Sequence, residues 1–200
     1  YIMERPDSAL AVLDTMDRAL LVTDRLKAHH ALLHAMALDK NYIDVTDDSI
    51  ASVAVEYYSK KGPEKYNVRS LYYQGVVYYN QKKYDKAIIN FTRAERLAQN
   101  VDTLYWAMLK GIQANVYTNT YNDREALKYL NEAYEIYSTI SLDYYKNVTE
   151  LKLAKSYFNL NEKSRADSIL QNLVDNPDID ENIKMAALSD IAFINVVKSE

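Results

Sequence analysis

The sequence predicts an all-α protein built from stacked antiparallel helical hairpins. Three observations support this fold class. Sequence features recur with a period of about 40 residues, which is typical of helical repeat proteins. Each copy carries small and large apolar residues at helical spacing, and the chain contains only three glycines and three prolines. Tight β-hairpin turns depend on residues that tolerate positive φ, so these few glycines disfavour a fold of many strands. We therefore expect an α-solenoid.

The repeat is anchored on Ala87, Ala126 and Ala166, which follow one another at this period. Apolar residues four and seven positions after each anchor share its helical face, and a small residue and a tyrosine stand twelve and nine positions before it. The columns are Gly75, Ala114 and Ala154; Tyr78, Tyr117 and Tyr157; the anchors; Phe91, Leu130 and Leu170; and Ala94, Ala133 and Leu173. Each copy therefore predicts a hairpin whose small residue lets two helices approach closely.

The segments between paired helices supply turns and caps. "KKYD" and "YNDR" predict turns, with Asp85 or Asn122 as helix N-caps. Asparagine recurs seven positions before each anchor, at Asn80, Asn119 and Asn159. We interpret these three residues as helix ends that adopt left-handed geometry, and a ladder that binds a ligand backbone is the alternative.

The flanking segments fit the same scheme. "RPDSALAVLDTMD" predicts a helix with Pro6 in its first turn and with Ala9, Leu13 and Met16 on one face. We expect a single domain over 1–200, with a partial hairpin at 1–19, hairpins at 24–62, 64–100, 102–140 and 142–176, and a capping or partial helix at 181–198. Both ends cut through hairpins, so we expect a fragment of a longer protein.

The repeat resembles the tetratricopeptide repeat (TPR) family. The pairs that carry the resemblance are "GVVY" with "AIINFTRA", "ANVY" with "ALKYLNEA", and "AKSY" with "ADSILQNL". The first phrase of each pair lies on helix A of a hairpin and the second on helix B. Lys110 and Glu150 depart from the bulky apolar residue that is usual near the start of helix A. The period is also longer than the roughly 34 residues common in the family. The resemblance implies a right-handed superhelix with helix A on its concave face.

Family likeness also implies a partner-binding groove on the A helices, which we call the helix-A groove. Its implied residues are Arg69, Tyr72, Val76, Tyr79, Met108, Asn115, Thr118, Leu151, Lys155 and Phe158. This mixture of aromatic, apolar and amide groups with two cations suits an extended peptide or a partner helix better than a polyanion. In the alternative interpretation, the same face packs against the following repeat or against a neighbouring subunit, as in a homodimer.

Two N-terminal phrases, "RPDSALAVLDTMD" and "ALLHAMALDKNYIDVTDDSI", resemble exported TPR proteins of gut Bacteroidota. That resemblance implies an extracytoplasmic sensing or interaction domain of a longer signalling or regulatory protein. The domain would be periplasmic or anchored at the outer surface, and an upstream signal or lipid-anchored leader would fit. A cytoplasmic location and a structural scaffold that self-associates are the alternatives.

Composition narrows the functional classes. A formal charge of -4 argues against a nucleic-acid surface, which needs a concentrated basic face. The chain has no cysteine, which excludes disulfides, thiolate catalysis and thiolate metal sites. No apolar run approaches the roughly 18 residues needed to span a bilayer, so we expect no membrane insertion within this chain.

The sequence offers few residues for catalysis or metal binding. His30 and His34 are four apart, but "HALLH" lacks the glutamate that zinc hydrolases place beside the first histidine. The acidic segments "DVTDD" and "DNPDIDEN" do not supply the glycine at the sixth position and the glutamate at the twelfth position that an EF-hand loop needs. We therefore expect no catalytic site, no metal and no cofactor, and the hypothesis of a metal-dependent enzyme rests on His30 and His34 alone.

Overall fold

The computed structural model describes residues 2–199, and within these residues the regular secondary structure is entirely helical. Ten α-helices follow in chain order: α1 (Pro6–Thr15), α2 (Asp24–Lys40), α3 (Ser49–Tyr58), α4 (Glu64–Asn80), α5 (Tyr84–Val101), α6 (Thr103–Asn119), α7 (Asp123–Thr139), α8 (Asp143–Asn159), α9 (Lys163–Asp175) and α10 (Glu181–Ser199). A short 3₁₀ turn lies at Arg18–Leu20. The predicted all-α class is confirmed.

The chain divides into two compact units, and the division falls within α6, between Tyr105 and Trp106. In the first unit, α1 to α5 pack consecutively, and α2 also contacts α4. In the second unit, α7 to α10 pack consecutively, and α8 also contacts α10. Contacts between helices two apart arise when one helical hairpin stacks on the next. Each unit therefore has the local packing of an α-solenoid.

The repeat columns supply the centre of each unit's core. The anchors Ala87, Ala126 and Ala166 are each 0% exposed. The large residues four positions later, Phe91, Leu130 and Leu170, are at most 1% exposed. The small residues Gly75, Ala114 and Ala154 are also buried. The helical register read from the repeat is confirmed, because all three columns face inward.

In the turns that end several helices, residues other than glycine adopt a positive φ. Tyr42, Lys82, Tyr121 and Asn161 have φ between 57° and 63°. At Tyr121 the main chain forms a Schellman pattern: Asn122 N donates to Tyr117 O at 2.9 Å, and Tyr121 N donates to Thr118 O at 3.1 Å. The left-handed position therefore lies two positions after Asn80, Asn119 and Asn159, and our expectation that these asparagines adopt it is wrong.

Helix-end asparagines instead join neighbouring elements. Asn80 Nδ2 donates to Val45 O at 3.1 Å, and Asn159 Nδ2 donates to Asp123 Oδ1 at 3.0 Å. Asn41, which stands one repeat period before Asn80, donates to Pro6 O at 2.8 Å. In each case the amide reaches an element that precedes its own helix. These side chains therefore stabilise the stacking of hairpins.

Two expectations at helix ends need correction. α5 begins at Tyr84, so Asp85 lies in its first turn and does not cap it. Asn122 does cap α7, because its Oδ1 accepts from Glu125 N at 3.4 Å. α1 ends at Thr15, which leaves Met16 outside the helix and 37% exposed.

Candidate partner-binding surface

In the first unit, the helix-A groove begins at Arg69 on α4, and this side chain is already paired within the unit. Its Nε and Nη2 donate to Asp102 Oδ2 at 2.9 and 2.8 Å. The guanidinium also lies 4.8 Å from the centroid of the Tyr105 ring. Asp102 Oδ1 accepts from Tyr105 N at 3.3 Å, at the start of α6. Arg69 therefore connects α4 to the start of α6, and its Nε and Nη2 donors are engaged inside the fold.

Tyr72 lies in the core of the first unit, although the family likeness places it in the groove. It is 7% exposed, and its ring centroid lies 5.0 Å from Tyr73, 6.1 Å from Phe91 and 5.3 Å from Tyr105. Edge-to-face arrangements of this kind stabilise aromatic clusters. Its assignment to an open groove needs correction, because neighbouring rings cover the face that a partner would contact.

A buried pair of phenols completes this aromatic cluster. Tyr73 and Tyr105 share a hydrogen bond of 2.8 Å between their hydroxyl groups. Burial raises the pKa of Tyr73, and it raises the pKa of Tyr105 to about 12. Both rings therefore remain neutral at physiological pH. Neither Tyr73 nor Tyr105 could be assigned a role from the sequence, because each ring has its partner in another repeat.

The remaining α4 positions of the helix-A groove are more open. Val76 and Tyr79 are half-buried, and the Tyr79 ring lies 5.8 Å from that of Tyr84. They stand three positions apart on α4 and so lie on one face of the helix. In the first unit, these two residues are the groove positions at which a partner could still contact side chains.

In the second unit, α6 supplies Met108, Asn115 and Thr118, and all three are half-buried. Beside them, Lys110 is 8% exposed, its Nζ pairs with a carboxylate oxygen of Glu132, and it lies 5.1 Å from the Tyr129 ring. The departure from the family pattern at this position is thus compensated by an ion pair. Lys110 serves the fold and leaves the three groove positions as the accessible part of α6.

On α8, two of the three groove positions pack against the core of the second unit. Leu151 and Phe158 border the buried cluster that includes Leu170, Ile183 and Ile194. The ring of Phe158 lies 5.5 Å from that of Phe193 on α10. The alternative interpretation, in which this face packs against the following repeat, therefore describes Leu151 and much of Phe158.

A pocket remains beside these residues, and we call it the α8–α10 pocket. It has a volume of about 420 Å³ and is lined by Ala154, Lys155, Phe158, Asn159, Leu170, Asp190, Phe193 and Ile194. Lys155 is exposed, and Phe193 is 58% exposed. Burial raises the pKa of Asp190, although the charge of Lys155 acts in the opposite direction. The structure thus brings Lys155 and Phe158 together with two α10 residues, Asp190 and Phe193, that the sequence did not single out.

The histidines have partners within the first unit. His30 Nε2 lies 3.0 Å from Leu13 O, and His34 Nε2 lies 2.8 Å from Asp14 Oδ1. Both nitrogens are therefore directed at α1, which disfavours joint metal binding by the pair. Across residues 2–199, no group of three or more His, Cys, Asp or Glu side chains could hold a metal ion. Over the same residues, no helix is both long enough and apolar enough to cross a membrane.

Comparison with known proteins finds two segments that match tetratricopeptide repeat models, residues 68–101 and residues 149–178. The first segment lies in α4 and α5, and the second lies largely in α8 and α9. They support a TPR protein, and repeats of this kind indicate a protein–protein interaction module. The sequence matches no curated protein.

Among solved structures, the chain is similar to the crystal structure of BtubC (BKLC) from P. vanneervenii. The TM-score is 0.69 at 13% sequence identity, and the match covers 97% of this chain and 85% of that chain. At this identity the similarity concerns the fold alone, and it agrees with an α-solenoid of helical repeats.

Proposed function

We propose that this chain, with its two TPR segments, is a non-enzymatic module that binds a protein or peptide partner on its A helices. The α8–α10 pocket carries this proposal. Phe158 and Phe193 offer an apolar surface, while Lys155 and Asp190 offer one charge of each sign at its edge. Peptide sites combine an anchor pocket with a few polar groups in this way.

In this proposal, the pocket takes one apolar side chain of an extended segment. The two phenylalanine rings would contact that side chain, and Lys155 or Asp190 would hydrogen-bond to main-chain groups beside it. Met108, Asn115 and Thr118 on α6 of the same unit are further proposed contacts. Val76 and Tyr79 are proposed separately as partner contacts of the first unit. Arg69, Tyr72 and Leu151 would act indirectly, because they support the helices that carry these positions.

Substitution on α10 tests the pocket with a matched control. Phe193 and Met185 are both 58% exposed on the same helix, and the pocket is lined by Phe193 but not by Met185. We expect Phe193→Ala to reduce recovery of partners from native lysate, and Met185→Ala to leave it unchanged. Mass spectrometry would identify the captured partner, and a peptide array would then map its bound segment. Equal recovery by both variants would refute the pocket.

A finer proposal concerns location and context. The resemblance of its N-terminal phrases to exported TPR proteins supports an extracytoplasmic sensing domain of a longer signalling or regulatory protein. Fractionation of native cells with an antibody against this domain tests that location. Recovery with periplasmic or outer-surface markers is expected, and recovery with cytoplasmic markers alone would contradict it.

A second candidate function is a scaffold that self-associates. Exposed apolar side chains on α10 favour it, since Leu188 is 41% and Val196 is 59% exposed. Sedimentation velocity over a hundred-fold range of protein concentration would reveal self-association. If Leu188→Glu abolishes a dimer while recovery of a foreign partner is unaffected, the two functions use different surfaces.

A further inference from the structure

A second pocket lies in the first unit, where the start of α2, the end of α3 and the start of α4 converge. We call it the tyrosine pocket. It has a volume of about 790 Å³ and is lined by Thr23, Arg25, Leu26, His29, Tyr57, Tyr58, Gly62, Pro63 and Tyr66. That volume lies within the range of roughly 300 to 1,000 Å³ typical of small-molecule sites. None of the proposed partner-binding residues lines it.

Three tyrosine rings form the wall of this pocket. The centroid of Tyr58 lies 5.2 Å from that of Tyr57 and 5.2 Å from that of Tyr66. A hydrogen bond of 3.1 Å between His29 Nδ1 and the Tyr58 hydroxyl fixes one ring. Gly62 has a φ of 93°, and a Cβ atom there would lie 3.1 Å from Tyr58 Cδ1. The glycine therefore lets the main chain pass close to the Tyr58 ring. The three rings favour an aromatic ligand, because aromatic pairs stabilise one another.

The charge of the tyrosine pocket is positive. Among the described residues, its lining includes Arg25 and no carboxylate, and no ion pair or hydrogen bond engages the Arg25 guanidinium. Lys65 Nζ adds a second positive charge 5.3 Å from the Tyr66 ring. Burial and the charge of Arg25 lower the pKa of His29, so the imidazole is neutral at pH 7. A cationic guest would be repelled, whereas a carboxylate could accept two hydrogen bonds from the guanidinium.

We propose that the tyrosine pocket is a binding site for a small aromatic carboxylate. The ring of the ligand would pack among Tyr57, Tyr58 and Tyr66, and its carboxylate would pair with Arg25. Both features are needed together, because the rings select aromatic character and the guanidinium selects negative charge. A free aromatic acid and the C-terminal aromatic residue of a peptide share this chemistry. The site is independent of the proposed partner-binding function.

A series of related ligands, each measured with the full chain, tests which chemical features the tyrosine pocket recognises. Saturation-transfer NMR and calorimetric titration would use 3-phenylpropionate, with 3-phenylpropionamide to remove the charge and 3-cyclohexylpropionate to remove the aromatic ring. We expect 3-phenylpropionate to bind and 3-phenylpropionamide to bind about ten-fold more weakly, the loss typical of one charge-assisted hydrogen bond. 3-Cyclohexylpropionate keeps the carboxylate and should bind about five-fold more weakly, because it loses the aromatic ring contacts. N-acetylglycylphenylalanine distinguishes the sources: tighter binding than 3-phenylpropionate indicates a peptide C-terminus, and weaker binding indicates a free acid.

Variants then locate the site. Arg25→Gln should weaken 3-phenylpropionate binding about ten-fold, whereas Arg93→Gln, at an arginine on α5 that is likewise exposed, should leave it unchanged. Tyr57→Leu keeps an apolar side chain while removing one ring, and it should also weaken binding. The proposal is overturned if 3-phenylpropionate shows no binding at millimolar concentration, if the amide binds as tightly as the acid, or if Arg25→Gln has no effect in a protein with an unchanged circular dichroism spectrum.

Discussion

Gly75 on α4 lies directly against the ring of Phe91 on α5. A Cβ atom at Gly75 would lie 2.6 Å from Cδ1 of Phe91, closer than real side-chain contacts allow. Phe91 is 0% exposed, so its ring cannot move into solvent to make room. The small residue in the repeat therefore has a direct steric cause, since α4 and α5 can pair at this distance only if that position carries no side chain.

Adding a methyl group at Gly75 should destabilise the protein. We expect Gly75→Ala to lower the free energy of unfolding by about 1 to 2 kcal/mol, because overpacking outweighs the gain in helix propensity. Gly111→Ala is the matched control, since a Cβ atom on this helical glycine meets nothing within 4 Å. It should stabilise by about 0.5 to 1 kcal/mol. Urea denaturation measures both, and stabilisation by both substitutions would contradict the close approach.

Substitutions of Phe91 and Ala87 on α5 test the same interface between α4 and α5. Phe91→Ala should cost roughly 3 to 5 kcal/mol, since it leaves a cavity at a fully buried site. Ala87→Leu should cost roughly 1 to 3 kcal/mol, because Ala87 is also 0% exposed and extra volume must strain the core. Losses below about 0.5 kcal/mol at both sites in denaturant melts would show that the helical register is wrong.

The two tyrosines of α4 that the family likeness assigns to the groove should behave differently. Tyr72→Ala is expected to cost about 3 to 5 kcal/mol of stability, because the ring is 7% exposed among other aromatic rings. Tyr79→Ala should cost less than half as much, since its ring is only half-buried. Denaturant melts of each variant, followed by partner recovery at a temperature where both remain folded, separate the two roles. Equal losses of stability would contradict the burial.

The hairpin turn at Tyr121 should tolerate glycine better than tyrosine. Tyr121 has a φ of 58° and is 94% exposed, so it has unfavourable backbone geometry and little burial to offset it. Tyr121→Gly should therefore raise the free energy of unfolding by about 0.5 to 1 kcal/mol. Tyr144→Gly is a suitable control, because this exposed tyrosine lies in the first turn of α8, where glycine should destabilise by about 0.5 kcal/mol relative to tyrosine.

His29 should make stability depend on pH. Burial and the charge of Arg25 lower its pKa in the folded state, below the ordinary value of about 6.5 that applies to the unfolded chain. The unfolded chain therefore binds a proton first as the pH falls, so this contribution is fully present above about pH 6.5 and is lost between that value and the folded-state pKa.

The measurement is the free energy of unfolding of the wild type and of His29→Gln at pH 8 and pH 5. The other two histidines are common to both proteins, so the change in their difference reports on His29. We expect the wild type to lose more stability than the variant on acidification. A difference between the two proteins that stays constant over this range would contradict the prediction.

Much of the fold could be predicted from the sequence because the repeat is a local signal. Residues at 0, 4 and 7 positions from Ala87 must share a helical face, and Gly75 at the paired position indicates close packing. The geometry of the turns was harder to predict from the sequence. A left-handed position normally suggests glycine or asparagine, yet Lys82 and Tyr121 occupy it here because the main-chain hydrogen bonds of the Schellman pattern hold the turn.

The candidate site was harder to predict, because accessibility depends on residues far away in the chain. From the sequence, Arg69 is a candidate cation of the groove. In the structure it pairs with Asp102, which lies 33 residues later in the chain. The α8–α10 pocket depends on Phe193, a residue that matches no repeat column. The tyrosine pocket could not be predicted, because its lining residues lie at the ends of three helices and no regular spacing in the sequence links Arg25 to Tyr66.

By itself, the sequence determined the all-α class, the register of the hairpins and the inward-facing columns, because these follow from helical periodicity and from residue size. Only the tertiary structure decided which helix-A residues can meet a partner. Tyr72 and Arg69 are engaged inside the first unit, while Lys155 and Phe193 remain accessible beside a pocket in the second. The physical reason is that burial and pairing arise from packing between repeats, and a residue's position within its own repeat does not specify its neighbours in the next.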